Sequence, residues 1–277
     1  MNKPHLFALA TATLLSACSS IAPTTTKQEV NIQFVAEING APFECGKIYD
    51  KVGSTSATIT PTDFRMFVSE VQMIDAQGNA IPVALKQDGT WQLGNLALID
   101  FENGSGPCRN GTAATNTSIS GTVPTGNYTG VRLTLGVPFE RNHGDPTVSP
   151  APLNTTAMFW TWQGGYKFVK FDIASSFSVH LGSTVCASPS RTQAPSACQN
   201  PNRVTMTFNN FNASTQKIVA DMGRVLASSN VESNATGTSP GCMSFLKDAD
   251  CPPVMNALGL PYEGRAANAP QRFLSVR

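Results

Sequence analysis

The sequence predicts a mainly β protein, an antiparallel β-sandwich or barrel with long loops, a short helical segment near the C-terminus and several disulfides. Apolar and polar residues alternate in many short segments, and turn-forming residues separate those segments. The chain has 22 glycines and 19 prolines, and only 13% of its residues are charged, against roughly 25% in an average soluble protein. Long polar loops of this kind are typical of exported β proteins.

The first predicted strand starts at Glu29, where apolar residues alternate with polar ones, and it ends at the turn Asn39-Gly40. Further strands are predicted at 64–74, 81–85, 128–135, 159–171, 176–181 and 203–208. Two segments carry helical spacing instead, namely 217–228 and the shorter 251–258. The length suits one large β domain or two small ones, but no domain break is evident, so we expect residues 29–277 to form a single β domain.

The N-terminus has the features of a lipoprotein signal peptide over residues 1–17. Lys3 precedes a short apolar run that is too short to span a membrane as a permanent helix. That run ends at Leu15-Ser16-Ala17-Cys18, which is the pattern of a lipoprotein cleavage site. We therefore expect Cys18 to become the lipid-bearing first residue of the mature chain.

The residues after Cys18 favour an anchor in the bacterial cell envelope. Ser19 follows the cysteine, whereas an aspartate there would indicate retention at the inner membrane, so we expect the outer membrane, facing the periplasm or the surface. Residues 18–28 are expected to be a flexible tether. The formal net charge is +1, which gives no indication of a nucleic-acid partner.

The six cysteines after Cys18 predict three disulfides, because an even number in an oxidising compartment usually forms bridges. No two of them form a CxxC pair, which makes a thiolate metal site the weaker alternative. Proximity along the chain suggests the pairs Cys186 with Cys198, Cys242 with Cys251, and Cys45 with Cys108.

Few residues can carry chemistry. The mature chain has two histidines, His143 and His180, and the tryptophans Trp160 and Trp162 lie between them. If 158–168 is a strand, these tryptophans share one face, either as part of an aromatic core or as a soft wall around a copper ion. The sequence contains no HExxH motif and no glycine-rich phosphate loop, and nothing singles out a serine nucleophile, so it predicts a binding protein and not an enzyme.

A hard cation such as calcium is a second metal hypothesis. Asp100, Glu102, Asn103 and Asn110 place oxygen donors close together in one loop. The alternative interpretation is that these are ordinary turn residues.

Several strings, in order along nearly the whole mature chain, resemble the MbnP family, also called the metallo-mystery-pair four-cysteine-motif proteins. They lie at 64–71, 99–104, 108–112, 135–139, 142–143, 152–154, 158–168, 180–184 and 241–244.

The resemblance implies a periplasm-facing β protein that binds copper. It also implies a partner, a di-haem protein of the MbnH type related to cytochrome c peroxidases, which oxidises a tryptophan of the β protein to kynurenine. The family's tryptophan pair falls on Trp160 and Trp162, and its two histidine motifs fall on His143 and His180. Which tryptophan is converted stays open at this stage.

Three functions compete. The first is a copper-binding protein for uptake, storage or delivery, with no turnover of its own. The second is a copper oxygenase, which is disfavoured because two histidines are few for an oxidative copper site and an acylated Cys18 excludes an N-terminal histidine. The third is a surface carbohydrate- or peptide-binding module that uses exposed aromatic residues.

The lipoprotein interpretation predicts that Cys18→Ala leaves the precursor without lipid and releases the protein from the membrane fraction. Acylation requires the Cys18 thiol, so labelled fatty acid in growing cells should appear on the parent and not on the variant. Equal labelling of both proteins contradicts the prediction.

Overall fold

A computed structural model gives the fold and describes Met1 and residues 26–175 and 177–277. The predicted signal peptide, Cys18 and most of the tether lie outside the described residues. The first strand begins at Lys27, so the last two residues of the expected tether belong to the β domain. Within the described part of the chain, no helix has the length and apolar character needed to cross a membrane.

The described residues form mostly strands, which confirms the β prediction. In chain order the strands are β1 Lys27–Ile38, β2 Ala41–Pro42, β3 Tyr49–Val52, β4 Ala57–Ile59, β5 Pro61–Asp75, β6 Ala80–Pro82, β7 Ala84–Leu85, β8 Gln92–Leu93, β9 Leu96–Asp100, β10 Ser118–Pro124, β11 Tyr128–Leu135, β12 Val169–Ile173, β13 Ser178–Leu181, β14 Thr184–Cys186, β15 Cys198–Asn200, β16 Val204–Asn209, β17 Lys217–Asp221 and β18 Leu274–Val276. The helices are α1 Phe139–Asn142, α2 Met222–Leu226 and α3 Cys251–Ala257, with one 3₁₀ turn at Thr156–Met158.

Two larger sheets enclose the core. One has the order β18-β17-β1-β10-β7, with β2 added to β1, and the other has the order β13-β12-β5-β11-β16. The 15-residue strand β5 also pairs with β6 and β9, so four other strands depend on it directly. Apolar side chains from both sheets belong to one buried cluster, in which Phe64 packs against the rings of Phe43, Phe101 and Phe171.

The three disulfide pairs predicted from proximity are confirmed. They join Cys45 to Cys108, Cys186 to Cys198 and Cys242 to Cys251. Bridges of this kind stabilise a fold mainly by restricting the unfolded chain. The second and third bridges flank the site described below.

The predicted helix over 217–228 is wrong in its first half. Lys217–Asp221 is strand β17, which pairs in parallel with β1 and antiparallel with β18. The chain becomes helical only at Met222, the first residue of α2. The Asp221 carboxylate caps this helix by accepting hydrogen bonds from two backbone amides. Strand pairing therefore outweighs local periodicity in this segment. The shorter helix predicted at 251–258 is confirmed as α3.

The predicted strand over 159–171 is also largely wrong, because only Val169–Ile173 is a strand. Residues 159–166 form a tight hairpin in which the Trp160 amide donates to the Gly165 carbonyl (3.0 Å) and the Gly165 amide donates to the Thr161 carbonyl (2.7 Å). Trp160 and Trp162 therefore do not share the face of a strand.

Candidate functional site

The register of four adjacent strands places a row of polar residues on one face of the larger sheet. Lys170 of β12 lies opposite His180 of β13 and Arg65 of β5, and Arg65 lies opposite Asp100 of β9. Residues that lie opposite each other in a sheet point to the same face, as do residues two apart along a strand. The opposite face of these strands carries Phe64, which packs in the core.

The charges in this row are buried and paired. Asp63 accepts hydrogen bonds from Arg65 and from Lys170, and all three side chains are at most 6% exposed. Lys170 Nζ also donates to Asp172 Oδ2 at 2.6 Å. Burying a charge is costly unless it is paired, so these contacts hold one another in place.

Asp172 fixes the orientation and the tautomer of His180. His180 Nε2 lies 2.7 Å from Asp172 Oδ1. Because a carboxylate can only accept, Nε2 carries the proton and donates it to this bond. The other ring nitrogen, Nδ1, then holds a lone pair, and it is buried without a hydrogen-bond partner among the described residues.

Electrostatics keep this imidazole neutral. Burial lowers the pKa of His180, and the hydrogen bond to Asp172 offsets part of that effect. Burial alone would raise the pKa of Asp172, but the hydrogen bond from His180 and the charge of Lys170 lower it overall. A neutral imidazole with one free nitrogen is the form that binds a transition metal.

The indole ring of Trp160 packs beside His180. The ring centroids are 6.3 Å apart, and the Phe245 ring lies 5.6 Å from Trp160 on another side. A Cβ atom at position 182 would come within 2.4 Å of the indole, so this approach requires Gly182. The hairpin at 159–166 thus presents Trp160 to the end of β13.

The segment after Cys242 holds His180 from the other edge of β13. The His180 amide donates to the Cys242 carbonyl at 2.9 Å, and the Ser244 hydroxyl donates to the His180 carbonyl at 3.0 Å. Because the Cys242–Cys251 bridge ties this segment to α3, a disulfide supports the position of the histidine.

His143 follows α1 and has different surroundings. Its Nδ1 donates to the Trp162 carbonyl at 2.9 Å, and its Nε2 accepts from the Asn142 side chain at 3.1 Å. Nε2 also lies 3.6 Å from Cys198 Sγ. Burial lowers the pKa of His143, with a smaller opposing effect of the bond to Trp162.

An open, mainly apolar cleft of about 850 Å³ is lined by neighbours of both histidines. Trp160, Met243 and Phe245 line it together with the hairpin β14–β15 and the Cys186–Cys198 bridge. The structure therefore brings Trp160 to His180, whereas it brings His143 to the disulfide and to the main chain of Trp162.

Sequence reasoning missed Asp172, the acceptor that orients His180, and the buried pair of Asp63 and Lys170. A signal for them was present, because charged residues at 170 and 172 alternate with Val169, Phe171 and Ile173 in a strand too apolar for an exposed edge. Met243 and Phe245 were missed because they approach Trp160 only through the tertiary fold.

The residues present fit a copper ion. The buried lone pair of His180 Nδ1, unpartnered among the described residues, is a nitrogen donor of the kind copper prefers. Its hydrogen bond to Asp172 is the outer-shell support that metal-binding histidines usually have. The aromatic ring of Trp160 lies on the same side of the protein, at the cleft.

Three of the four oxygen donors proposed for calcium, Asp100, Glu102 and Asn103, accept hydrogen bonds within the protein. Glu102 accepts from the backbone amides of Gly104 and Thr112 and lies 3.9 Å from Arg65. Asn103 accepts from the Ser105 hydroxyl and amide. These contacts match the alternative interpretation of turn residues, and the calcium hypothesis gains no support from them.

The fold and the site together define a disulfide-bridged β protein with a buried, pre-oriented imidazole beside an aromatic cleft. The sequence profile of the MbnP family matches residues 27–244, so the chain belongs to the MbnP family. MbnP from Methylosinus trichosporium is similar in structure, with a TM-score of 0.79 and 28% identity over 91% of this chain and 98% of that one. The search of curated proteins found no match.

The raised pKa of Asp100 predicts a pH dependence of stability. Burial raises this pKa to about 8, although Arg65 lowers it in part. Between the unfolded value near 3.8 and about 8, the folded state keeps a proton that the unfolded state loses. The unfolding free energy contributed by this group therefore falls as the pH rises through that window.

The amide side chain in Asp100→Asn cannot ionise, so the unfolding free energy of this variant should not fall with rising pH on account of position 100. We expect the variant to gain about 1 to 3 kcal/mol over the parent at about pH 8 and much less at about pH 5. Urea unfolding at both pH values measures the difference, with the exposed Asp50→Asn as the matched control. If the unfolding free energies of the parent and of Asp100→Asn differed by the same amount at both pH values, the raised pKa of Asp100 would be contradicted.

Proposed function

We propose that this protein is a copper-binding lipoprotein of the bacterial cell envelope, used for copper uptake, storage or delivery and without turnover of its own. The observation that carries the proposal is the buried His180 imidazole beside the Trp160 ring: its Nε2 donates to Asp172, and its Nδ1 has no hydrogen-bond partner among the described residues. Membership of the MbnP family supports copper as the metal. The Cys18 anchor follows from the cleavage-site motif alone.

His180 supplies the first ligand of the proposed site, and Trp160 the second after its oxidation to kynurenine. Opening the indole creates an aromatic amine next to the imidazole, and an aromatic amine is a nitrogen donor suited to copper. Trp160 is chosen over Trp162 because its ring contacts His180, whereas Trp162 contacts His143 through its carbonyl oxygen. His143 is the remaining imidazole that the family resemblance assigns to the metal.

The proposed oxidising partner is a di-haem protein of the MbnH type, and the surface around Trp160 suits such an encounter. Trp160 is partly exposed and lines the open cleft. Val185, Phe245 and Leu246 are 41–44% exposed, and the first two line the same cleft. Exposed apolar side chains grouped in this way are typical of interaction surfaces.

Oxidation by the partner should be specific to Trp160. The partner's oxidation inserts two oxygen atoms into the indole, and water then hydrolyses the resulting formyl group, which leaves as formate. The net change is one oxygen gained and one carbon lost, roughly +4 Da. Co-production with the partner should give this shift in the parent and in Trp162→Phe, but not in Trp160→Phe. Peptide mass spectrometry measures it, and a shift that persists in Trp160→Phe would assign the modification to the other tryptophan.

Copper affinity should depend on His180 and on its orientation by Asp172. His180→Ala and His143→Ala should each lose most of the copper, and Asp172→Ala should weaken binding by about 10- to 100-fold, the usual cost of removing an outer-shell partner. Asp172→Asn keeps an acceptor oxygen and should lose less.

Competition with a coloured chelator measures the affinity of these variants, with Asp50→Asn as the control carboxylate. Nitrogen NMR of the metal-free protein gives an independent readout, because the His180 proton should lie on Nε2 in the parent and should exchange between both nitrogens in Asp172→Ala. If Asp172→Ala bound copper as tightly as the parent, the orienting role of Asp172 would be excluded.

A further inference from the structure

His143 and the Cys186–Cys198 bridge, which lines the cleft, form a second cluster of metal-binding atoms. The Nε2 or Nδ1 nitrogen of His143 and the sulfurs of Cys186 and Cys198 all lie within 4.8 Å of one another. His143 Nε2, which carries a lone pair because Nδ1 donates to the Trp162 carbonyl, is the atom that lies 3.6 Å from Cys198 Sγ. The same lone pair accepts from the Asn142 side chain at 3.1 Å, a hydrogen bond that a metal ion bound to Nε2 would replace.

The Cys186–Cys198 bridge is the disulfide most open to reduction. Both of its cysteines are partly exposed and line the cleft. In contrast, Cys108, Cys242 and Cys251 are at most 1% exposed, so each of the other two bridges has a buried half. Thiol–disulfide exchange requires a thiolate to reach a sulfur atom, and access therefore favours this bridge.

Strand pairing and hydrogen bonds hold the hairpin in addition to the bridge. Cys186 and Cys198 lie opposite each other in the register of β14 and β15. The Ala187 amide donates to the Ala197 carbonyl at 2.8 Å, and the Asn200 side chain donates to the Thr184 hydroxyl at 3.2 Å. These hydrogen bonds would keep the two sulfurs facing each other after the bridge is opened.

We propose that reduction of Cys186–Cys198 converts this cluster into a Cu(I) site formed by two thiolates and the His143 imidazole. A dithiol of the oxidoreductase class supplies two electrons and two protons: the bond between the two sulfurs breaks, two thiols form, and the reductant becomes a disulfide. Cu(I) then binds both sulfurs, and two protons leave to solvent. The copper ion does not change its oxidation state.

The donor set selects the metal. Thiolates are soft ligands that favour Cu(I), and two thiolates with one imidazole give a three-coordinate site. The site needs neither a modified tryptophan nor His180, so it can form where the kynurenine site proposed above is not formed. The two sites share His143 and would therefore compete for this ligand.

The test uses the mature protein made without any partner, so that its tryptophans are intact. A phosphine reductant opens the accessible bridge and is removed without oxygen, and peptide mapping confirms that Cys45–Cys108 and Cys242–Cys251 stay closed. Cu(I), supplied as its acetonitrile complex, is then titrated against a coloured chelator. We expect the reduced chain to bind one more Cu(I) than the oxidised chain, with a thiolate-to-copper charge-transfer absorption in the ultraviolet.

Two variants identify the ligands. Cys186→Ser combined with Cys198→Ser should show no gain on reduction, and His143→Ala should keep the gain but bind at least about tenfold more weakly, a loss of roughly 1.4 kcal/mol. Trp160→Phe should retain the whole gain, which separates this site from the kynurenine site. Any one of three results would overturn the proposal. They are no additional Cu(I) bound by the reduced parent, additional Cu(I) bound by the variant without the two cysteines, or an unchanged Cu(I) affinity in His143→Ala.

Discussion

The pairing register of β13, β12, β5 and β9 decides what the site is made of. It aligns His180, Lys170, Arg65 and Asp100 in one row, and a shift of one residue would turn each of these side chains into the apolar core. Because the opposite face is filled by aromatic rings around Phe64, such a shift is strongly opposed. The hydrophobic core thus fixes the position of the polar site, and the buried ion pairs then fix the orientation of each side chain within it.

Two disulfides lie near the two histidines, and they have different physical roles. Cys242–Cys251 is buried and anchors the segment that hydrogen-bonds to the backbone of His180, so it supports the imidazole. Cys186–Cys198 is partly exposed, belongs to a hairpin held by its own hydrogen bonds, and touches His143. Burial makes the first bridge a structural element, whereas exposure and a neighbouring nitrogen give the second access to exchange chemistry.

Much of the fold could be predicted from the sequence, because the alternation of apolar and polar residues along a strand directly reflects which side chains are buried. β1, β5 and β11 follow the predicted segments closely, and the cysteine pairs follow proximity. The segment at 217–228 failed because its apolar spacing suits both a helix and a buried strand, and pairing with β1 decides between them. Asp172 could not be assigned a role from sequence, because its partner His180 lies on a neighbouring strand whose register is a tertiary property.

The tryptophan pair shows how a wrong local prediction changes a functional conclusion. In a strand, Trp160 and Trp162 would be equivalent neighbours on one face, and neither would be favoured for oxidation. The hairpin at 159–166 makes them unequal, because Trp160 directs its ring to His180 and the cleft while Trp162 offers a carbonyl oxygen to His143. Gly182, which directly follows β13, has no side chain and so leaves the space that the Trp160 indole occupies. Backbone geometry is therefore the basis of the proposed selectivity between two tryptophans that lie two residues apart.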